Sequence, residues 1–289
     1  MNKDLILAAS TSAYGKYSLI KAVEGIVKAG YKYIEIACTD GIVQHVLDDE
    51  MNEEKVSEIS NLLYNYDLGV YAFSAHTNFT TPKEFEKRFL KRLWFAKKIG
   101  AQAIVTNIPS PHDQLEFIKS IKNIIPFGEE ISIKICLESP GHLFTSVRKF
   151  IEILERVNSP IVYFTYDVGN VFTASLGKVD PAEELSLALH SNKLALIHLK
   201  DVSIDGGLWR FTPLGKGQIN FNQIFSEIRK QNYNGPLTLE MPLFLEGKGN
   251  EPAYIAHYSH CFEVITEQLY DSRLFIEKNL CSQKEVSCR

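Results

Sequence analysis

Eight short runs rich in β-branched and aromatic residues, each followed by a helix-length stretch, recur along the 289-residue chain and constrain its fold more than any other feature. They are LILAAS at 5–10, YKYIEIA at 31–37, LGVYAFSA at 68–75, QAIVTNI at 102–108, ISIKICLE at 131–138, IVYFTYD at 161–167, LALIHLK at 194–200 and GPLTLEM at 235–241. The segments between them carry helical periodicity: Leu19, Val23, Ile26 and Val27 share one face, as do Phe85, Phe89, Leu93 and Ala96. In KAGYKYIEI and KKIGAQAIV a basic residue and then a glycine stop the helix before the next strand. Strands joined through helices pair in parallel, because a parallel pair needs a long crossover. Eight such units close a barrel, so the expected fold is α/β, a single (β/α)8 barrel over residues 1–280, with 281–289 a frayed tail.

An open doubly wound sheet also alternates strand with helix, but it has fewer units and a glycine-rich first turn. Here the first strand runs into STSAYGKYS, which has one glycine and no G-x-G-x-x-G. No linker rich in Pro, Gly or Ser divides the chain, and Glu251 to about Leu280 reads as a long closing helix.

Composition narrows the function. A net charge of −4 argues against affinity built on the phosphate backbone of nucleic acid, which needs a basic stripe, so small molecules become the default partner. The five cysteines are scattered, with no C-x-x-C pair, as expected in a reducing cytoplasm. No run approaches the roughly 20 apolar residues of a membrane span. Barrels with long strand-to-helix loops often pair through them, and a homodimer or homotetramer is expected.

In a barrel, side chains that converge on one ligand stand at the carboxyl ends of the strands, however distant in sequence. Strand five ends in Glu138, strand six in Asp167, strand seven holds His198, and strand eight ends in Glu240, successive members lying 29, 31 and 42 positions apart. That is close to one strand–helix unit per step. Three carboxylates and an imidazole suit one divalent metal ion: Mn²⁺ first, with Mg²⁺, Co²⁺ or Zn²⁺ alternatives. A single carboxylate at a strand end is often only the N-cap of the next helix. Glu138, however, is set among apolar residues in ICLESP, where an unpaired charge is costly to bury.

The series ICLES, YDVGN, IHLKD, RFTPLGKGQINF and GPLTLEM resembles the sugar isomerase/epimerase superfamily of xylose-isomerase-like barrels over most of the chain. Within it the series is most similar to the L-xylulose 5-phosphate 3-epimerase and ketose 3-epimerase group, as is Ser74-Ala75-His76 after strand three. The resemblance implies that Glu138, Asp167, His198 and Glu240 hold the metal. It further implies that Glu138 and Glu240 exchange protons with a ketose or ketose phosphate through a metal-stabilised enediolate, and that Arg210 holds substrate. His76, Lys200 and Glu35 are further candidates for substrate contact. Lys200-Asp201 can equally be a surface pair, Glu35, at the tip of strand two, can instead satisfy nearby backbone groups, and Trp209 can be a pocket wall or a residue packed under a lid. His142 reads as a loop residue, and His45, His112, His190, His257 and His260 as surface or helix residues. The DNA-repair endonucleases of the superfamily have D-x-x-H where this chain has Asp167-Val168-Gly169-Asn170, and asparagine is a poor zinc ligand. The alternatives to an epimerase are a metal-dependent dehydratase of the dehydroshikimate or inosose type, which begins with the same proton abstraction, and a non-catalytic sugar-binding barrel.

Overall fold

The computed structural model describes residues 5–143, 146–256 and 260–281. All eight expected strands form: β1 Leu7–Ser10, β2 Tyr33–Thr39, β3 Gly69–Ser74, β4 Ala103–Asn107, β5 Lys134–Glu138, β6 Val162–Asp167, β7 Leu194–Leu199 and β8 Leu237–Leu239. Each pairs in parallel with the next, and β1 pairs with both β2 and β8, so the sheet closes into a barrel. Around it run α1 Leu19–Lys28, α2 Glu53–Asn65, α3 Pro82–Lys98, α4 Gln114–Glu130, α5 Val147–Val157, α6 Val168–Ala174, α7 Pro181–His190, α8 Phe221–Lys230 and α9 Phe262–Cys281. Helix starts are set locally: the side chains of Ser18, Asn52, Thr81, Ser146 and Asn220 each accept a backbone N–H three residues on.

Strand alternation sorts side chains between two environments. Ile34, Ile36, Phe73, Ile104, Ile135, Leu137, Phe164, Ile197 and Leu199 pack outward in one core with the buried helix residues Phe85, Phe89, Leu93 and Ala96. The intervening residues Ala72, Ala103, Val105, Cys136 and Leu196 form a separate cluster inside the barrel. Both faces of each strand are thus buried, which is why the strands read as nearly continuous apolar runs.

Three expectations are corrected. The closing helix begins at Phe262, not at Glu251, because the chain first supplies two strands to a second sheet. That antiparallel sheet joins Asp201–Asp205, Leu208–Thr212, Leu245–Lys248 and Tyr254–Ile255 at the carboxyl end of the barrel. Glu35 is the third residue of β2, inside the barrel, and not at a strand tip. His45 is no surface residue: it is half-buried, with Nε2 3.0 Å from the carbonyl of Thr11. His257 and the tail beyond Cys281 lie outside the described residues. Cys38, Cys136 and Cys261 are free thiols. Among the described residues, no helix is long and apolar enough to cross a membrane.

Candidate metal centre and active site

Glu138 closes β5, Asp167 closes β6, His198 is the penultimate residue of β7, and Glu240 directly follows β8. Asp167 and His198 are opposite one another in the ladder, as are His198 and Thr238 two residues before Glu240. Parallel neighbours at one height point the same way, so the four side chains meet in the lumen. His198 Nδ1 lies 3.0 Å from Glu138 Oε2, 3.4 Å from Glu240 Oε2 and 3.7 Å from Asp167 Oδ2. All four residues are buried.

A set of neighbours aims these groups. His198 Nε2 lies 3.2 Å from Glu35 Oε2, both side chains having no exposed surface, which leaves Nδ1 to face the carboxylates. Asn170 Nδ2 donates to Glu138 Oε1 at 2.8 Å. Asp167 is at once the N-cap of α6 and a member of the cluster: Oδ1 accepts the Asn170 N–H at 2.8 Å, and Oδ2 turns towards His198. Gly169 lets α6 come this close, because a Cβ there would stand 2.5 Å from Lys200 Cβ.

Lys200 is not a surface pair with Asp201. It is buried, on the same side of its strand as His198, with Nζ 2.7 Å from Asp167 Oδ2 and 2.5 Å from Glu240 Oε2. Burial opposes charge on Lys200 and His198, but Asp167, Glu240 and Glu138 around the ammonium, and Glu240, Glu35 and Glu138 around the imidazole, outweigh it and raise both pKa values well above the usual range. Conversely, burial would raise the Glu240 and Asp167 carboxyls, yet the facing His198 and Lys200 hold both below the usual carboxylate range. The site is a charge cluster sustained by its own members.

The donor set fits a divalent cation. Glu138 Oε2 and His198 Nδ1 are buried without a hydrogen-bond partner, and with Asp167 Oδ2, which is paired to Lys200, they converge on one region. Ligand atoms at about 2.1 Å from one ion stand roughly 3.0 Å apart at right angles and roughly 3.4 Å apart in a tetrahedron. The 3.0–3.7 Å separations around Nδ1 span that range.

Above this floor opens a cavity of about 290 Å³ whose walls include Glu138, Glu240, Lys200, His76, Asn107, Asn170, Trp209 and Phe211. His76 is placed here as expected, with Nε2 3.8 Å from Glu138 Oε2. Its loop is pinned from below: the His76 carbonyl accepts the Asp40 N–H at 3.0 Å, and fully buried Arg92 reaches that carbonyl, the Thr77 hydroxyl and the Asp40 carboxylate. Arg210 is not brought into the site. On the strand Leu208–Thr212 side chains alternate, Trp209 and Phe211 are buried facing the cavity, and Arg210 is exposed on the other side. Trp209 serves as wall and packed residue together, its indole N–H donating to the Gly249 carbonyl at 3.1 Å. His142 sits on a single 3₁₀ turn, Gly141–Leu143, and lines the cavity.

Three residues of the site escape a search limited to metal-capable strand tips. Asn107 ends β4 and lines the cavity, and extending the strand-tip rule to amides singles it out. Asn170 carries the signal of lying three residues after a strand-end aspartate that caps a helix. Asp201 has none, because its role is tertiary. Its carboxylate accepts the backbone N–H groups of Val202, Gly215, Gly217 and Ile219 at 2.8–3.3 Å and so gathers the PLGKGQI loop. A Cβ at residue 217 would lie 2.2 Å from Asp201 Oδ1, which requires the glycine.

The closed parallel barrel gathers three carboxylates and an imidazole at its carboxyl-terminal mouth, the end at which (β/α)8 barrels build their ligand sites. The chain belongs to the xylose isomerase-like TIM barrel family, whose model matches residues 23–257. It is 23% identical over 242 residues to an inosose isomerase of Halalkalibacterium halodurans, covering 78% of this chain and 83% of that protein. It is 20% identical over 231 residues to the L-ribulose-5-phosphate 3-epimerase UlaE of Salmonella paratyphi A, covering 73% and 78%. Among solved structures, the IolI protein with a bound zinc atom superposes with a TM-score of 0.73 at 16% identity, covering 96% of this chain and 99% of that one. A D-tagatose 3-epimerase-like protein superposes with a TM-score of 0.71 at 17% identity, covering 95% and 97%. These two likenesses show the fold.

Proposed function

We propose that the chain is a divalent-metal-dependent epimerase or isomerase of a ketose-type sugar, with Glu138, Asp167, His198 and Glu240 holding the ion and Glu138 and Glu240 exchanging the substrate proton. The observation that carries this reading is the convergence of buried Glu138 Oε2, Asp167 Oδ2 and His198 Nδ1 beneath a cavity open to a small molecule. The names of its relatives, an inosose isomerase and a ribulose-phosphate epimerase, support the same chemistry. A bound divalent ion, Mn²⁺ for preference from this oxygen-rich set, would supply Lewis-acid polarisation of a carbonyl beside the carbon that loses its proton.

The protein's own groups do the rest. Glu138 and Glu240 enter from β5 and β8 on either side of His198, and both line the cavity. A proton removed by one carboxylate on one face of the substrate and returned by the other on the opposite face inverts the carbon between them. Asn170 holds Glu138 by one oxygen and leaves the other free to turn. His198, and Lys200 paired to Glu240 at 2.5 Å, keep that carboxylate in its ionised form. Asp167 and His198, held by the α6 N-terminus and by Glu35, have no proton-transfer role in this scheme.

The test is solvent-deuterium incorporation at the carbon next to the carbonyl, followed by NMR with the Mn²⁺-loaded protein and with Glu138→Gln and Glu240→Gln. Loss of a general base is expected to cost about 10²- to 10⁴-fold in exchange rate while the variants still fold. Wild-type protein that binds Mn²⁺ yet exchanges nothing across a panel of ketoses and inososes would end the proposal. Product analysis in the same tubes separates epimerisation from dehydration.

A further inference from the structure

Resting on the epimerase reading, we infer that the substrate of this site is an uncharged, unphosphorylated polyhydroxy ketone that lies with a C–H face against Trp209. The charge around the cavity is the first ground. Among the described residues that line it, Lys200 is the one lysine or arginine, and its ammonium is engaged by Asp167 at 2.7 Å and Glu240 at 2.5 Å. The four carboxylates Glu35, Glu138, Asp167 and Glu240 already outnumber the charge that this ammonium and one dication would supply, so the site has no positive charge to spare for an anionic ligand. A phosphate dianion would also pass Glu251, which lines the cavity, and the charge of Asp40 is answered by Arg88 and Arg92 lying behind it. Of the two histidines, His76 faces Glu138, and burial lowers the pKa of His142, which favours its neutral form.

What the walls do offer is suited to hydroxyls and to carbon. Ser12, Asn107, Asn170 and Thr173 present neutral polar groups, and Asn107 Oδ1 is buried without a partner, so it can accept from a ligand hydroxyl. Trp209 has its indole N–H committed to Gly249, and it stands edge-on to Phe211 with ring centroids 5.5 Å apart. Lys200 Nζ lies 5.5 Å from the Phe211 ring centre, which ties this aromatic wall to the charged floor. A cavity that combines an apolar wall with neutral polar groups selects a sugar by its C–H face and its O–H groups.

The experiment compares deuterium exchange by the Mn²⁺-loaded full chain on free ketopentoses, ketohexoses and a cyclic inosose with exchange on the matching phosphate esters, L-ribulose beside L-ribulose 5-phosphate among them. Because like-charge contacts weaken binding, kcat/KM for the best free ketone is expected to exceed that of any ester by about tenfold or more, and millimolar inorganic phosphate is expected not to compete. The rim variant Glu251→Lys should narrow the gap, and Trp209→Ala should raise KM for the free ketone more than it lowers kcat. An ester turned over faster than its free ketone, with competition by inorganic phosphate, overturns this inference and leaves the epimerase reading standing. Exchange on no member of either set overturns both.

Discussion

At the residue scale, the informative side chain is Glu35. It lies in the lumen with no exposed surface and meets His198 from the far side of the barrel, 3.2 Å away. A histidine that binds a cation through one nitrogen is oriented by what holds the other, and a carboxylate there fixes the tautomer and strengthens the ligand. Glu35→Ala is therefore expected to weaken Mn²⁺ or Zn²⁺ binding by about 10- to 100-fold, measured by competition with a chelating dye. Glu35→Gln, which keeps an acceptor oxygen, should lose less. Equal affinity in wild type and Glu35→Ala would remove Glu35 from the site, and circular dichroism on the same samples separates that result from misfolding. Sequence position alone suggests a strand-tip contact with substrate. The strand places it elsewhere: Glu35 is the third of the seven residues of β2, between Ser10 and Ala72 in the ladder, with its carboxylate against His198.

At the scale of the element, the small antiparallel sheet makes the pocket. Its first two strands form a hairpin across Gly206 and Gly207, both at positive φ, so the D-G-G tripeptide amid apolar residues is a legible turn signal. What cannot be read there is which face of the hairpin looks inward, because a shift of one residue exchanges Arg210 for Trp209 and Phe211. Asp201, at the start of the hairpin, settles it by gathering Val202 and the 215–219 loop. Each backbone N–H left unsatisfied by Asp201→Ala costs about 1–3 kcal/mol, so a lower Tm is expected. With the aromatic wall loosened, Trp209 emission should move to the red and KM should rise more than kcat falls. Unchanged Trp209 emission in Asp201→Ala would show that the wall stands without the loop. Trp94 is the only other tryptophan and lies on α3, so the Trp94→Phe background isolates the signal.

At the scale of the molecule, the proposed cation would join residues from four consecutive strands, β5 to β8, and should stabilise the closed barrel. A ligand at 100 times its dissociation constant adds about 2.7 kcal/mol to a state that alone binds it. Calorimetry with and without Mn²⁺ is expected to show Tm rising with the ion, the rise shrinking in Glu240→Gln. A Tm indifferent to Mn²⁺, Zn²⁺ and Co²⁺ would argue against a specific site. The barrel itself was legible because strand and helix periodicities are local, and eight repeats of a parallel unit leave one closed sheet as the simplest way to bury both faces of every strand. The convergence of Glu138, Asp167, His198 and Glu240 was legible for a related reason: strand tips of successive units are brought to one mouth by the topology, whatever the details of packing. Height within the lumen, the inward face of the hairpin and the partner of each charged atom were decided only in three dimensions. Glu35 against His198, Lys200 between Asp167 and Glu240, and Asp201 beneath the loop are contacts between residues whose neighbours in sequence say nothing of them. Their energies depend on burial and on charges brought close by the closed sheet, which no local pattern encodes.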